Sequence, residues 1–267
     1  MSILAFAFFY LVMFLIATVF SAIGQGGGIL YTPVQLFFGI EFHTAATTTL
    51  FLIMAMSLSA TMVFRKAAMV DWLLAIVLES SMTSGAFLGG LFSGHFSDKF
   101  LIAVLSGVIA VAAFFMATNF EVRNRCGDQS SGFFRWRRRI GVETYCVNLG
   151  LALPTAFAIG AVSGLVGVSG GILVVPMLVL LFGVPMNIAV GSSAFIVGLS
   201  SAGGFLGHLA AGHFDWKRAL CLIPGIFLGG QIGARTSVKV DKTKMKRFFG
   251  YVLAVLAVFL AIRTALH

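Results

Sequence analysis

Charge is the first thing this sequence lacks. No Asp, Glu, Lys or Arg occurs in residues 1–40, and charged residues make up only 10% of the chain, against about 25% in a soluble domain. With 59% of residues apolar and a mean hydropathy of +1.03, the apolar surface exceeds what a soluble core of this size can hide, and the excess must face lipid. Cysteine is scarce too. Cys126, Cys146 and Cys221 are odd in number and far apart, without metal-ligand or redox spacing, so three free thiols are expected and a disulfide framework is not. No nucleophile–base constellation, nucleotide-binding motif or zinc-spaced histidine pair is present. An enzyme, a cofactor, a bound metal or an ATP-driven mechanism is therefore not expected. A basic leader is missing as well, since the first Lys or Arg is Arg65. Residues 3–23 accordingly read as a retained first helix rather than a signal peptide.

The charge that is present is basic, +9 net, and it is clustered. Residues 119–143 hold Arg123, Arg125, Arg135, Arg137, Arg138 and Arg139, and residues 235–247 hold Arg235, Lys239, Lys242, Lys244, Lys246 and Arg247. Basic loops mark the cytoplasmic side of a membrane protein and meet anionic lipid. The aromatics lie in the apolar runs rather than among these bases, so nucleic acid is not an expected partner.

Apolar runs fall near 2–23, 28–38, 44–64, 72–94, 99–118, 144–168, 171–183, 188–211, 217–234 and 247–265. Two of them, 28–38 and 171–183, are too short for an ordinary span and suit half-helices or re-entrant segments. Each follows a glycine cluster, and the clusters match. Gly24 to Pro33 aligns with Gly167 to Pro176 at an offset of 143; one inserted residue then makes the offset 144. In that register Gly39 meets Gly183, Thr48-Thr49 meet Ser192-Ser193, Asp71-Trp72 meet Asp215-Trp216, and Gly85 and Gly89 meet Gly229 and Gly233. The chain thus reads as a duplication, 1–118 and 144–267, joined by the Arg-rich linker 119–143. The fold class expected is an all-α integral membrane protein of two homologous repeats, with about eight full transmembrane helices and two short broken or half-helices. If the short segments cross, each half has an odd number of crossings, the halves are inverted, and all basic segments share one side. If they are re-entrant, residues 235–247 land outside. The positive-inside rule favours the inverted arrangement.

These repeated elements carry a family resemblance: a Gly-Gly-Gly-Ile-Leu cluster closed by Pro, a Gly, a Thr/Ser run, a Val/Phe-Asp-Trp loop and a Gly-x-x-x-Gly helix, in order and twice. The chain resembles the TauE/SafE family of sulfite and organosulfonate exporters over nearly its whole length. It departs modestly: Ser169 stands where the first cluster has Gly26, and Gly191-Ser192-Ser193 where the first half has Thr47-Thr48-Thr49. The resemblance implies export of a small anion across a bacterial inner membrane, but its motifs do not specify which anion. The expected partners are that anion and membrane lipids, with a homo-oligomer left open.

Candidate site residues follow from chemistry. A half-helix opening after Gly26, Gly27 and Gly28, or after Gly170 and Gly171, offers unpaired N–H groups and a positive dipole end to an oxyanion. Glycines equally serve close helix packing. Thr47, Thr48 and Thr49, with Ser192 and Ser193, can donate to an anion without a buried charge, or bond back to their own helix. Glu79 stands inside a span and is a candidate for proton coupling. His208 is the histidine best placed for it, and Arg235 either pairs with the anion or snorkels at a helix end. Asp71-Trp72 and Asp215-Trp216 read as N-caps with interfacial anchors.

Overall fold

The computed structural model describes residues 3–24, 27–97, 100, 103, 104, 107, 135–140, 143–166, 170–210, 214–240, 251 and 255. Gly26, most of the runs 99–118 and 247–265, and residues 119–134 lie outside them. The described helices are α1 (Ile3–Ala22), α2 (Gly28–Phe37), α3 (Phe42–Lys66) and α4 (Trp72–Phe92) in the first half. The second half holds α5 (Leu149–Val166), α6 (Gly171–Pro176), α7 (Met186–Ala210) and α8 (Trp216–Lys239). Among the described residues six helices, all but α2 and α6, are long and apolar enough to cross a membrane.

Local chemistry sets the boundaries. The Asp71 carboxylate accepts the Leu74 N–H and caps α4, as the Asp215 carboxylate accepts the Arg218 N–H and caps α8; both caps were expected. Arg65 and Lys66 close α3 at its negative dipole end. After Pro176, α6 widens into a π-type turn, Met177–Leu181. The repeat offset grows by one residue between Pro33/Pro176 and Gly39/Gly183, and a π turn is how a helix absorbs one extra residue.

The main packing partners are α4 with α5 and α7, α8 with α1 and α3, and α3 with α7. Under the repeat alignment α1, α2, α3 and α4 correspond to α5, α6, α7 and α8. Every one of these interfaces therefore joins one half to the other, and they exchange in pairs: α1–α8 with α5–α4, α3–α8 with α7–α4. Small residues make the contacts. A Cβ on Gly85 or Gly89 would overlap the Phe157 or Ala161 carbonyl, and one on Gly160 or Gly164 the Met82 or Ala86 carbonyl.

The same contacts give direction. Met82 and Ala86 meet Gly160 and Gly164, and Gly85 and Gly89 meet Phe157 and Ala161, so α4 and α5 run parallel. Thr83 and Phe87 meet Gly203 and Gly207, so α4 and α7 are parallel too. Tyr10, Phe14 and Thr18 meet Gly225, Gly229 and Gly233, a third parallel pair, α1 with α8. In contrast, Leu50 meets Gly204 while Ser57 meets Gly198, so α3 and α7 are antiparallel. Because α5 and α7 point the same way, the short segment 171–185 carries the chain back between them.

Two findings correct the all-α, free-thiol expectation. The linker's Arg run forms strand β1 (Arg135–Ile140), paired antiparallel with β2 (Glu143–Asn148) from Arg135 opposite Asn148 to Ile140 opposite Glu143. The helix of the 144–168 run starts only at Leu149. Tyr145 and Val147 alternate inward and pack with Leu74 and Leu78 of α4, and this anchors the hairpin. Cys146 is disulfide-bonded, whereas Cys221 is a free, exposed thiol.

Candidate functional site

The first glycine break lies at a junction between the halves. Gly24 and Gly27 adopt left-handed backbone, φ 69° and 64°, open to glycine at little cost. A Cβ on Gly24 would overlap the Val190 carbonyl of α7. There the Ser193 hydroxyl is 2.8 Å from the Gly24 carbonyl and 2.9 Å from that of Val190. Gly27 then opens α2, whose first bonds run from Leu30 and Tyr31 N–H to the Gly27 carbonyl. The preceding N–H groups of such a helix have no intrahelical acceptor.

A second polar group joins α2 to α3. Gln35 Nε2 donates to Thr49 Oγ1 at 2.8 Å, and is 3.2 and 3.3 Å from the Ala45 and Tyr31 carbonyls. Thr32 Oγ1 is 3.1 Å from Thr49 Oγ1. All three side chains are fully buried. Gln35 Oε1 and the Thr48 hydroxyl have no hydrogen-bond partner among the described residues. Buried polar atoms without partners are costly, and an acceptor plus a hydroxyl left so can be satisfied by a bound polar species or water.

The other candidates are dispersed. Thr47 donates back to the His43 carbonyl at 2.7 Å. Gly170 packs on Met82, Ile159 and Ser163, and Gly171 opens the short α6. His208 is fully buried, with Nε2 donating to the Gly164 carbonyl at 2.8 Å and Nδ1 3.3 Å from Ser93 Oγ; it ties α7 to α5 and to the end of α4. Glu79 is buried on α4: one carboxyl oxygen takes the Thr83 hydroxyl, the other has no partner among the described residues. Arg235 is exposed on α8 and joins neither hydroxyl group.

Ser192 belongs to a cluster the sequence did not announce. Its hydroxyl accepts the Asp71 N–H at 2.9 Å. The Asp71 carboxylate, fully buried, is held by Arg138 Nε at 3.0 Å, by a second Arg138 nitrogen and by the Tyr145 hydroxyl. Burial works against that carboxylate, but the bonds from Arg138, Tyr145 and the Leu74 N–H outweigh it and hold its pKa below the ordinary 3.8. Burial, then the Asp71 carboxylate, push Tyr145 up, so it remains a donor. The available signal was a lone Asp at a membrane boundary, needing a base from elsewhere. Among the described residues its counterpart Asp215 pairs only with its neighbour Arg218, at 3.3 Å, in a partly exposed site.

Comparison with known proteins places these features in a lineage. The family model described as Sulfite exporter TauE/SafE matches residues 9–260. Probable membrane transporter protein YunE of Bacillus subtilis is 31% identical over 84% of this chain and 85% of its own length. A probable membrane transporter protein of Xylella fastidiosa is 26% identical over 91% and 89%, and MJ0441 of Methanocaldococcus jannaschii 23% over 94% and 93%. No solved structure matches the chain.

Proposed function

The chain belongs to the TauE/SafE sulfite exporter family and is a multi-pass membrane transporter, not an enzyme; from that premise we propose that it exports a small sulfur oxyanion, sulfite or an organosulfonate such as sulfoacetate, across a bacterial inner membrane. The observation that carries this reading is the junction of halves at Gly24 and Ser193. A glycine break, a half-helix N-terminus and a hydroxyl from the opposite repeat meet there without a charged side chain. Thr48 and Gln35 Oε1, without partners among the described residues, add a donor and an acceptor, a combination suited to an oxyanion that carries a proton or a water.

The two halves act as inverted repeats that rock against each other around this site. One observation supports the inversion: the counterparts α3 and α7 run antiparallel. Two more support a two-fold relation between the halves. The interfaces exchange in pairs. Trp72 meets Phe195 edge-to-face, ring centroids 5.3 Å apart, and the repeat-related Trp216 meets Phe51 in the same way at 6.0 Å. An interior-negative potential favours anion exit by about 2.3 kcal/mol per charge per 100 mV. Glu79, one oxygen of which has no partner among the described residues, is the residue for coupling a proton to this flux.

The test is anion flux in proteoliposomes, with sulfite, sulfoacetate, sulfate and thiosulfate compared. A saturable, exchange-capable flux of sulfite or sulfoacetate is expected. Folded protein that moves none of the four would sink the reading.

A further inference from the structure

Between α3 and α7 the surface opens into a groove of about 590 Å³. Its walls come as repeat-related pairs: Phe51 with Phe195, Ala55 with Leu199, Leu58 with Ala202. It therefore straddles the level where α3 and α7 cross, Ser57 against Gly198. Trp72 and Arg65 also line it. From Phe51 to Arg65 the helix rises about 21 Å at 1.5 Å per residue, more than half of a hydrocarbon core about 30 Å thick. The groove runs from just beyond the crossing to the level where Trp and Arg side chains meet headgroups.

Its open side faces outward. Leu58, Met62 and Leu199 are 57%, 46% and 46% exposed, so an occupant enters sideways from the bilayer. Arg65 is the one charged residue among the described lining, and no carboxylate accompanies it. Thr61, one turn below Arg65, adds a hydroxyl. A long apolar slot with a guanidinium at headgroup level, unpaired among the described residues, is complementary to an amphiphile whose polar end is negative. Guanidinium binds phosphate through two parallel hydrogen bonds, and Thr61 lies at the depth of an ester carbonyl.

We infer that this groove holds one acyl chain of an anionic phospholipid, with the lipid phosphate on Arg65. Both walls are used, so the lipid bridges the two halves at their crossing. A zwitterionic lipid brings its own cation toward Arg65 and Lys66 and is disfavoured.

The experiment is native mass spectrometry of the purified full chain, titrated in detergent with phosphatidylglycerol or phosphatidylethanolamine of matched chains. Wild type is expected to retain one phosphatidylglycerol with a preference of about fivefold, the worth of one basic residue at a lipid surface. Arg65→Gln, at an exposed side chain, removes the preference; Leu199→Trp fills the slot and displaces both lipids; Lys66→Gln, off the lining, retains most of the preference. Equal retention of the two lipids, an Arg65→Gln variant that behaves as wild type, or an equal loss in Lys66→Gln overturns the inference. So does a dimer mass in place of the lipid adduct, which would assign the groove to a second copy.

Discussion

Arg138 grips Asp71 from both sides of the carboxylate, Nε 3.0 Å from one oxygen and a terminal nitrogen 2.5 Å from the other. The pair fastens the interrepeat hairpin to the mouth of α4, and through the Asp71 N–H to Ser192 of α7.

Removing one partner of this pair strands the other. Arg138→Gln is expected to lower stability by about 2 kcal/mol, the range for a hydrogen bond to a charged group, and Asp71→Asn by a similar amount. Thermal unfolding in detergent reads both, and the double variant should be little worse than either single one. Additive losses would mean that the two side chains do not act together.

The same pair predicts a dependence on acid. The folded Asp71 pKa lies below its ordinary 3.8, so its contribution is complete above that value and is lost as pH falls through the lower, folded one. Melting temperature should drop below pH 4, and Asp71→Asn should show a shallower drop. Identical slopes in the two proteins would place the acid sensitivity elsewhere.

At the glycine break, Ser193→Ala removes the bond to the Gly24 carbonyl at a cost of about 1 kcal/mol in stability. Gly27→Ala forces a side chain into left-handed backbone at about 1–2 kcal/mol. Both should cut sulfite flux well beyond their effect on folding, whereas Thr236→Ala, exposed on α8, should leave it unchanged. Flux that merely tracks the amount of folded protein across all three would remove this junction from the binding site.

Glu79→Gln keeps a group able to accept the Thr83 hydroxyl but ends proton exchange at that position. Sulfite efflux should persist under an imposed potential, while any proton movement measured with an internal pH dye should stop. Proton movement that continues in the variant excludes Glu79 as the coupling residue.

The six described spans were legible because lipid demands apolar runs of fixed length, and the two Asp-Trp caps because an Asp before a helix accepts its first N–H groups. The hairpin was not. Arg135 to Arg139 read as a topology signal, and their strand character depends on pairing with residues 143–148 and on Asp71, some 67 residues away by sequence from Arg138. Tyr145 and Val147 also hid the strand by extending the apolar run into α5. The hydroxyl pair Thr49 and Ser193 was found, but not that the two have different partners. Thr49 is engaged by Gln35, whose counterpart falls at Leu178 or Val179, both apolar. Ser193 instead reaches across to the other half. Symmetry of sequence predicted position; the local partner set the role.

The cross-half packing also sets an order of events in the making of the protein. α1 leaves the ribosome first, yet its partner is α8, the last described helix, and the Ser21 hydroxyl waits 209 residues for the Gly230 carbonyl. Until then its polar seam stands unpaired in lipid or beside a stand-in helix. Insertion of this chain is therefore a problem of patience: a nascent first half must be sheltered until the second arrives, and truncation before residue 230 leaves a product for quality control rather than a smaller transporter.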